Sequence, residues 1–134
     1  MEPIKYSATE DTPEVILDAE NNTFRIAERS LPENAFEFYK PIYEWFEKYV
    51  ESPNRHTELH FQLDYFNTAT AKQISKLLTL LEQIKSSLIV KWHYFSDDTD
   101  MEENGARYAR LTGISFDLIE EEAEEDDELN IIYD

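Results

Sequence analysis

The 134-residue sequence contains no cysteine and only two glycines, Gly105 and Gly113. The absence of cysteine excludes a disulfide framework, a thiolate nucleophile and a cysteine-ligated metal site. Loops that cradle phosphates need several glycines, so nucleotide-binding enzymes of the usual kinds are disfavoured. No apolar run approaches the length of a membrane span, and the N-terminus lacks a signal-peptide pattern. We therefore expect a cytoplasmic protein.

Basic residues are also scarce. The sequence has 12 Lys and Arg residues and 30 Asp and Glu residues, which give a net charge of −18. Ten of the acidic residues, and no basic ones, lie in residues 117–134. The rest of the chain is still acidic, with twenty acids and twelve bases. This balance disfavours binding to nucleic acid or to an anionic membrane surface. The net charge predicts a protein partner with a basic or mixed surface.

The hydrophobic pattern predicts one domain over residues 1–119 and a mobile acidic tail over residues 120–134. The first dozen residues resemble a loose segment, and residues 129–133 of the tail are apolar enough to dock. The predicted order is strand, strand, helix, strand, helix, strand, helix, strand. The strands span residues 14–19, 23–28, 58–66, 88–95 and 114–119, and the helices begin near residues 30, 68 and 99.

Short motifs predict where the helices begin and end. Ser30 with Glu33, and Thr99 with Glu102, each have the spacing of a capping box. Pro41 lies inside the first helical pattern and predicts a kink or a division there. Gly113 suits the position just past the end of the third helix.

The alternation of strands and helices in the later half predicts parallel pairing through right-handed crossovers. The fold class is therefore α/β. We expect a mixed sheet with an N-terminal hairpin, a βαβαβ half and three main helices packed over it.

Histidines and acidic runs offer the first candidates for chemistry. His60 and His93 lie on separate predicted strands and could form a metal site with a carboxylate. The more ordinary interpretation is two partly buried polar residues, because neither HxH nor HExxH spacing is present. The run beginning at Asp97 fails the calcium-loop pattern, since its sixth and twelfth positions from Asp98 are Glu103 and Ala109.

The stretch Asn67-Thr68-Ala69-Thr70 joins a predicted strand to a predicted helix. Asn67 or Thr68 is expected to cap the helix by accepting a backbone N–H. Capping needs one such residue, however, and three crowd this turn. A hydroxyl at the carboxyl end of a strand is placed where α/β proteins present functional groups. Phosphorylation would add about two negative charges at a helix N-terminus, which tolerates an anion.

Three stretches of the sequence resemble the SiaC-like regulatory phosphoproteins, a family of small bacterial domains. They are TPEVILDAENNTFRIAERSLPENAFEFYKPIYEWFEKYV, LDYFNTATAK and VKWHYFSDDTDMEENG, all within residues 12–113. The resemblance implies a fold similar to STAS-type anti-sigma-factor antagonists and a switch rather than an enzyme. It implies no cofactor. It also implies a cognate kinase, a metal-dependent protein phosphatase and a diguanylate cyclase that the unmodified form binds and activates.

The same resemblance places the phosphorylated residue at Thr68. The family often has serine at the next two positions, where this chain has Ala69 and Thr70, so Thr70 is the second candidate. Asn67 and Lys72 complete the predicted partner-binding set, with Lys72 one turn beyond Thr68 and able to pair with a phosphate. The alternative is a small ligand-binding or metal-dependent enzyme that uses His60, His93 and nearby carboxylates.

Overall fold

The computed structural model describes residues 1–123, which form six strands and three helices. The strands are β1 (Ile4–Tyr6), β2 (Glu14–Asp18), β3 (Thr23–Ser30), β4 (His56–Phe66), β5 (Ser87–Phe95) and β6 (Ser115–Glu121). The helices are α1 (Ala35–Tyr49), α2 (Thr68–Leu81) and α3 (Thr99–Leu111). Within these residues, no helix is long and apolar enough to cross a bilayer.

The six strands form one mixed sheet in the order β1-β2-β3-β4-β5-β6. Pairing is antiparallel from β1 to β3 and parallel from β3 to β6. A helix connects the two strands of each parallel pair. Because these crossovers are right-handed and all proceed in the same direction across the sheet, the three helices lie on one face. The predicted fold class is therefore confirmed, including the β2–β3 hairpin. The strand β1 is a correction, because the sequence suggested a loose segment there.

Burial alternates along the central strand and identifies the two faces of the sheet. Leu59, Phe61 and Leu63 of β4 are buried under the helices, whereas His60 and Gln62 are partly exposed on the other face. We call that second face the open face. The sheet thus has an apolar side that carries the helices and a polar side that carries none of them.

Aromatic side chains fill the core between sheet and helices. Trp45 and Tyr49 of α1 stack on one another and pack against Phe24 of β3. On the other flank, the Trp92 indole N–H donates to the Met101 carbonyl at 2.9 Å and fixes the start of α3. These contacts hold α1 and α3 against the sheet. The N-terminal ends of both helices lie near the carboxyl ends of the parallel strands.

The first helix begins later than the motif predicts. Asn34 is its N-cap, with Oδ1 accepting the Glu37 N–H at 3.1 Å, whereas Ser30 is the last residue of β3. The Ser30 capping box is therefore wrong, because tertiary hydrogen bonds recruit that hydroxyl instead. Pro41 does not divide α1. It lies on the exposed side of the helix, where water can satisfy the carbonyl that lost its partner.

Other element boundaries also differ from the predicted ones. Asp98, not Thr99, caps α3 by accepting the Met101 N–H at 3.0 Å. The apolar pattern predicts that the second helix continues to about Ser86, but it ends at Leu81. At the C-terminus, β6 continues to Glu121, beyond the predicted boundary at residue 119. The predicted tail from residue 124 onward, including its apolar stretch, lies outside the described residues.

Candidate functional site

The junction between β4 and α2 is closed by Asn67, which is the N-cap of the helix. Its Oδ1 accepts the Thr70 N–H at 2.9 Å, and its carbonyl accepts the Ala71 N–H at 2.9 Å. Asn67 therefore satisfies one of the orphan N–H groups of the helix without help from a hydroxyl. Thr68 is the first residue of α2 and is exposed, so its side chain is not needed as the cap.

Thr70, only two residues further on, has an opposite environment. It is 0% exposed, and its hydroxyl donates to the Ser30 carbonyl at 3.0 Å. The Ser30 hydroxyl lies 3.0 Å from Thr70 Oγ1 and 2.7 Å from the Tyr39 hydroxyl. Because Thr70 already donates its proton, Ser30 donates to Thr70 and Tyr39 donates to Ser30. We call these three residues the hydroxyl bridge.

The hydroxyl bridge ties the end of β3, the first half of α1 and the first turn of α2 together. Burial raises the pKa of Tyr39 to about 12, so its proton is retained at any physiological pH. No local pattern indicates this bridge, because it joins residues 40 positions apart. Its effect on the site is to withdraw the Thr70 hydroxyl from solvent. This burial counts against Thr70 as the alternative candidate for phosphorylation.

A shallow groove of about 540 Å³ separates the N-terminal ends of α1 and α2. Its lining includes Thr68, Lys72 and Gln73 from α2 and Asn34 and Phe36 from α1. Within residues 1–123, Lys72 forms no ion pair, and its side chain is exposed. The structure thus brings together Asn67, Thr68 and Lys72 at one surface, as expected for neighbours in sequence on one helix.

Two aromatic residues of α1, Phe36 and Tyr43, complete this surface, and the sequence pattern did not single them out. Phe36 is 53% exposed. The ammonium group of Lys76 lies 5.3 Å from the Phe36 ring centre and 4.8 Å from that of Tyr43. Each such contact contributes about 0.5–1 kcal/mol at an exposed site. We call Thr68, Lys72, Lys76, Phe36 and Tyr43 the lysine face.

Tyr65 departs from the alternation of its strand. The apolar pattern predicts that Tyr65 lies on the same face as Leu59, Phe61 and Leu63, yet it is 55% exposed. The pairing of β3 with β4 shifts register between Glu28 and Arg29, and Glu28 has a positive φ of 77°. This irregularity adds Asp64 on β4 and turns the following residue outward. It ends the regular sheet just before the junction that carries Thr68.

The structure also brings the two predicted histidines together, on the open face. His60 Nδ1 lies 3.0 Å from His93 Nε2, and their rings are stacked with centres 5.3 Å apart. The outer nitrogen of each ring meets a carboxylate: Glu58 Oε2 at 3.5 Å from His60 and Glu121 Oε1 at 2.8 Å from His93. Glu121 belongs to β6 and was not anticipated from sequence.

This histidine pair has the chemistry of a hydrogen-bonded chain. One imidazole must donate and the other accept, so at least one of the two is neutral. Burial lowers the pKa of His60 below its ordinary value of 6.5, and the positive charge of His93 lowers it further. In the part of the chain that the structure describes, no group of three or more His, Cys, Asp or Glu side chains has metal-binding geometry.

Comparison with known proteins points to one family. The sequence profile described as SiaC family regulatory phosphoprotein matches residues 6–121. An uncharacterized protein from Pseudomonas aeruginosa strain UCBPP-PA14 is 28% identical over 97 residues, which cover 70% of this chain and 77% of that protein.

Solved structures from Pseudomonas aeruginosa share the fold. Apo-SiaC superposes with a TM-score of 0.80 at 24% identity, covering 89% of this chain and 99% of that chain. A structure of the diguanylate cyclase SiaD in complex with its activator SiaC gives a TM-score of 0.80 at 22% identity, covering 88% and 99% of the two chains. At these identities the likeness establishes a common three-dimensional arrangement.

Proposed function

The chain belongs to the SiaC family of regulatory phosphoproteins, and from this premise we propose that Thr68 is the phosphorylated residue of a partner-binding switch. One observation carries the proposal. Among the three positions at the start of α2, Thr68 alone combines a hydroxyl with exposure, because Ala69 has no hydroxyl and Thr70 is buried. Asn67 caps the helix, so the Thr68 hydroxyl is available for modification without loss of the cap.

A phosphate on Thr68 would act at the partner interface and leave the fold intact. The group adds roughly 1.5–2 negative charges, and free N–H groups at a helix N-terminus favour an anion. The first turn of α2 contains no acidic residue that would repel it. Lys72, one turn further on, can pair with the phosphate. A buried, unpaired anion at an interface is costly, so a partner docked over Thr68 would be released.

The output partner in this proposal is a diguanylate cyclase. A related structure is described as a diguanylate cyclase in complex with its activator, and that activator shares this fold. The unmodified chain would bind and activate the cyclase. A cognate kinase would add the phosphate and a metal-dependent phosphatase would remove it. The chain itself would have no catalytic role.

The alternative of a metal-dependent enzyme receives less support from the geometry. His60 and His93 do meet, as that alternative requires. Their outer nitrogens, however, are already paired with Glu58 and Glu121, and the described residues supply no third ligand in metal-binding geometry. The histidines also lie on the open face, whereas Thr68 begins a helix on the covered face.

The test compares Thr68→Ala and Thr68→Asp with the unmodified chain. We expect Thr68→Ala to bind the cyclase and to carry no phosphate after incubation with native lysate and ATP. We expect Thr68→Asp to lose activation, measured as cyclic-di-GMP synthesis, while its melting temperature stays nearly unchanged. Thr79→Ala is the matched control, since Thr79 is an exposed threonine of the same helix. Phosphate mapped by mass spectrometry to another residue would overturn the assignment.

A further inference from the structure

The second helix has a charge composition unlike that of the other two described helices. The sequence has 30 acidic residues, yet α2, from Thr68 to Leu81, contains none and carries Lys72 and Lys76. The positions 68, 72 and 76 follow one another at intervals of four and therefore line one stripe of the helix. Net charge predicts a partner with a basic or mixed surface, but this stripe is locally positive.

The helix termini reinforce the contrast. The first turn of α1 holds Glu37 and that of α3 holds Asp100 and Glu102, whereas the first turn of α2 holds no acid. Acidic residues in a first turn offset the positive end of the helix dipole. In α2 that positive end is not offset and adds to the two lysines. Glu33, which precedes α1, also lines the groove.

Two aromatic side chains, Phe36 and Tyr43, lie beside Lys76. Phe36 is more than half exposed, and Lys76 holds its ammonium group over Phe36 and Tyr43. Binding energy in protein interfaces is concentrated in such aromatic residues, surrounded by charged residues at the rim. The lysine face therefore has the composition of a docking surface, with the shallow groove beside Thr68 continuing it.

We propose that the lysine face docks a carboxylate-rich segment of the output protein, with an apolar side chain of that segment against Phe36. This inference rests on the proposed function and adds the chemistry of the partner. Charge complementarity is the argument, because this stripe lies on the one described helix without acidic residues in a strongly acidic chain. A phosphate on Thr68 would roughly cancel the two lysine charges and repel the partner's carboxylates. The switch would then operate mainly through charge.

The experiment uses the full chain and the purified diguanylate cyclase that the unmodified chain activates. Association and dissociation rates are measured at low and high salt. We expect Lys72→Gln and Lys76→Gln each to lower the association rate severalfold and to flatten its dependence on salt. We expect Phe36→Ala to raise the dissociation rate about tenfold. Lys85→Gln, an exposed lysine just beyond α2, is the matched control and should change neither rate.

Several results would overturn this inference. Binding that is insensitive to salt and to both lysine substitutions, while phosphorylation of Thr68 still abolishes it, would refute the acidic partner and leave the proposed function standing. A dimer in light scattering that Lys72→Gln and Lys76→Gln dissociate would assign the lysine face to a second copy instead. A cyclase that the unmodified chain fails to activate would remove both proposals. Melting temperatures of the variants confirm that each is folded.

Discussion

Two threonines only two positions apart illustrate how burial decides chemistry at the scale of a residue. Thr68 begins α2 with an exposed hydroxyl, whereas the Thr70 hydroxyl is held in the bridge with Ser30 and Tyr39. The sequence alone left both as candidates, since nothing local distinguishes them. The distinction comes from Ser30, which is distant along the chain and reaches the site only through the folded sheet.

Thr70→Val should destabilise the protein without removing the phosphate site proposed at Thr68. The substitution deletes the buried donor to the Ser30 carbonyl and leaves that group unsatisfied, a cost of about 1–3 kcal/mol in the free energy of unfolding. Urea denaturation measures the loss, and Thr70→Ser should recover much of it. The exposed control Thr79→Val should stay within about 0.5 kcal/mol. If stable Thr70→Val no longer accepted phosphate, Thr70 itself would be the modified residue.

At the scale of elements, α3 packs on β5 through a close approach of the α3 backbone to the indole ring of Trp92. Gly105 faces Trp92, and a Cβ atom added there would overlap the indole ring. The other glycine, Gly113, has nothing within 4 Å of its Cβ position and does not adopt a positive φ. Glycine at 105 therefore serves packing, while glycine at 113 is replaceable.

Gly105→Ala should lower the free energy of unfolding by about 1–3 kcal/mol, because overpacking against Trp92 outweighs the better helix propensity of alanine. Gly113→Ala is the paired control and should change it by less than about 0.5 kcal/mol. Denaturant unfolding followed by tryptophan fluorescence reports both variants. A Gly105→Ala protein as stable as the parent would show that α3 can shift away from the sheet at little cost.

Most elements were predictable because their signals are local. Periodic apolar residues marked α1, α2 and the central strands, and Asn67 was one of two expected caps. The errors share a different origin. The strand β1 depends on pairing with β2, Ser30 depends on a tertiary hydrogen bond, and Tyr65 depends on a register shift between strands. None of these has a signature within a short window of sequence.

The residues of the candidate site also divide into those with a local sequence signal and those brought together only by the fold. Asn67, Thr68 and Lys72 were predictable together, because they are neighbours on one helix. Phe36 and Lys76 were not assigned to it, since their contact joins two helices across 40 residues of chain. The His60–His93 pairing was foreseen as a possibility of neighbouring strands, but its carboxylate partner Glu121 comes from a strand whose end was placed two residues short.

At the scale of the whole molecule, the sheet is covered on one side and polar on the other. The open face carries the stacked pair of His60 and His93, together with charged residues of both signs. Lys91 pairs with Asp117 at 2.8 Å, and Arg25 pairs with Glu14 at 2.9 Å. Exposed pairs of this kind contribute little to stability, about 0–1 kcal/mol each. His60, whose pKa is lowered by burial, is a group of the open face through which pH can affect stability.

Stability should decrease as the pH falls below about 6.5. The folded state lowers the pKa of His60, so in mildly acidic solution the unfolded chain binds a proton that the folded protein resists. The contribution of neutral His60 to stability is therefore fully present above its ordinary pKa. It is lost as the pH falls through the lower pKa of His60 in the folded protein. Urea denaturation over this range should give a weaker pH dependence for His60→Gln. His56→Gln, at an exposed histidine of the same strand, should retain it; equal slopes in all three proteins would contradict the assignment.

The position of Thr68 within the first turn of α2 restricts how an enzyme can reach it. Its neighbours are fixed by the Asn67 cap on one side and by the hydroxyl bridge on the other. A linear peptide copied from this stretch would lack that geometry, since an isolated helix of this length is marginal in water. Under the proposed function, recognition by a kinase would thus depend on folded shape, and an unfolded or nascent chain would escape modification.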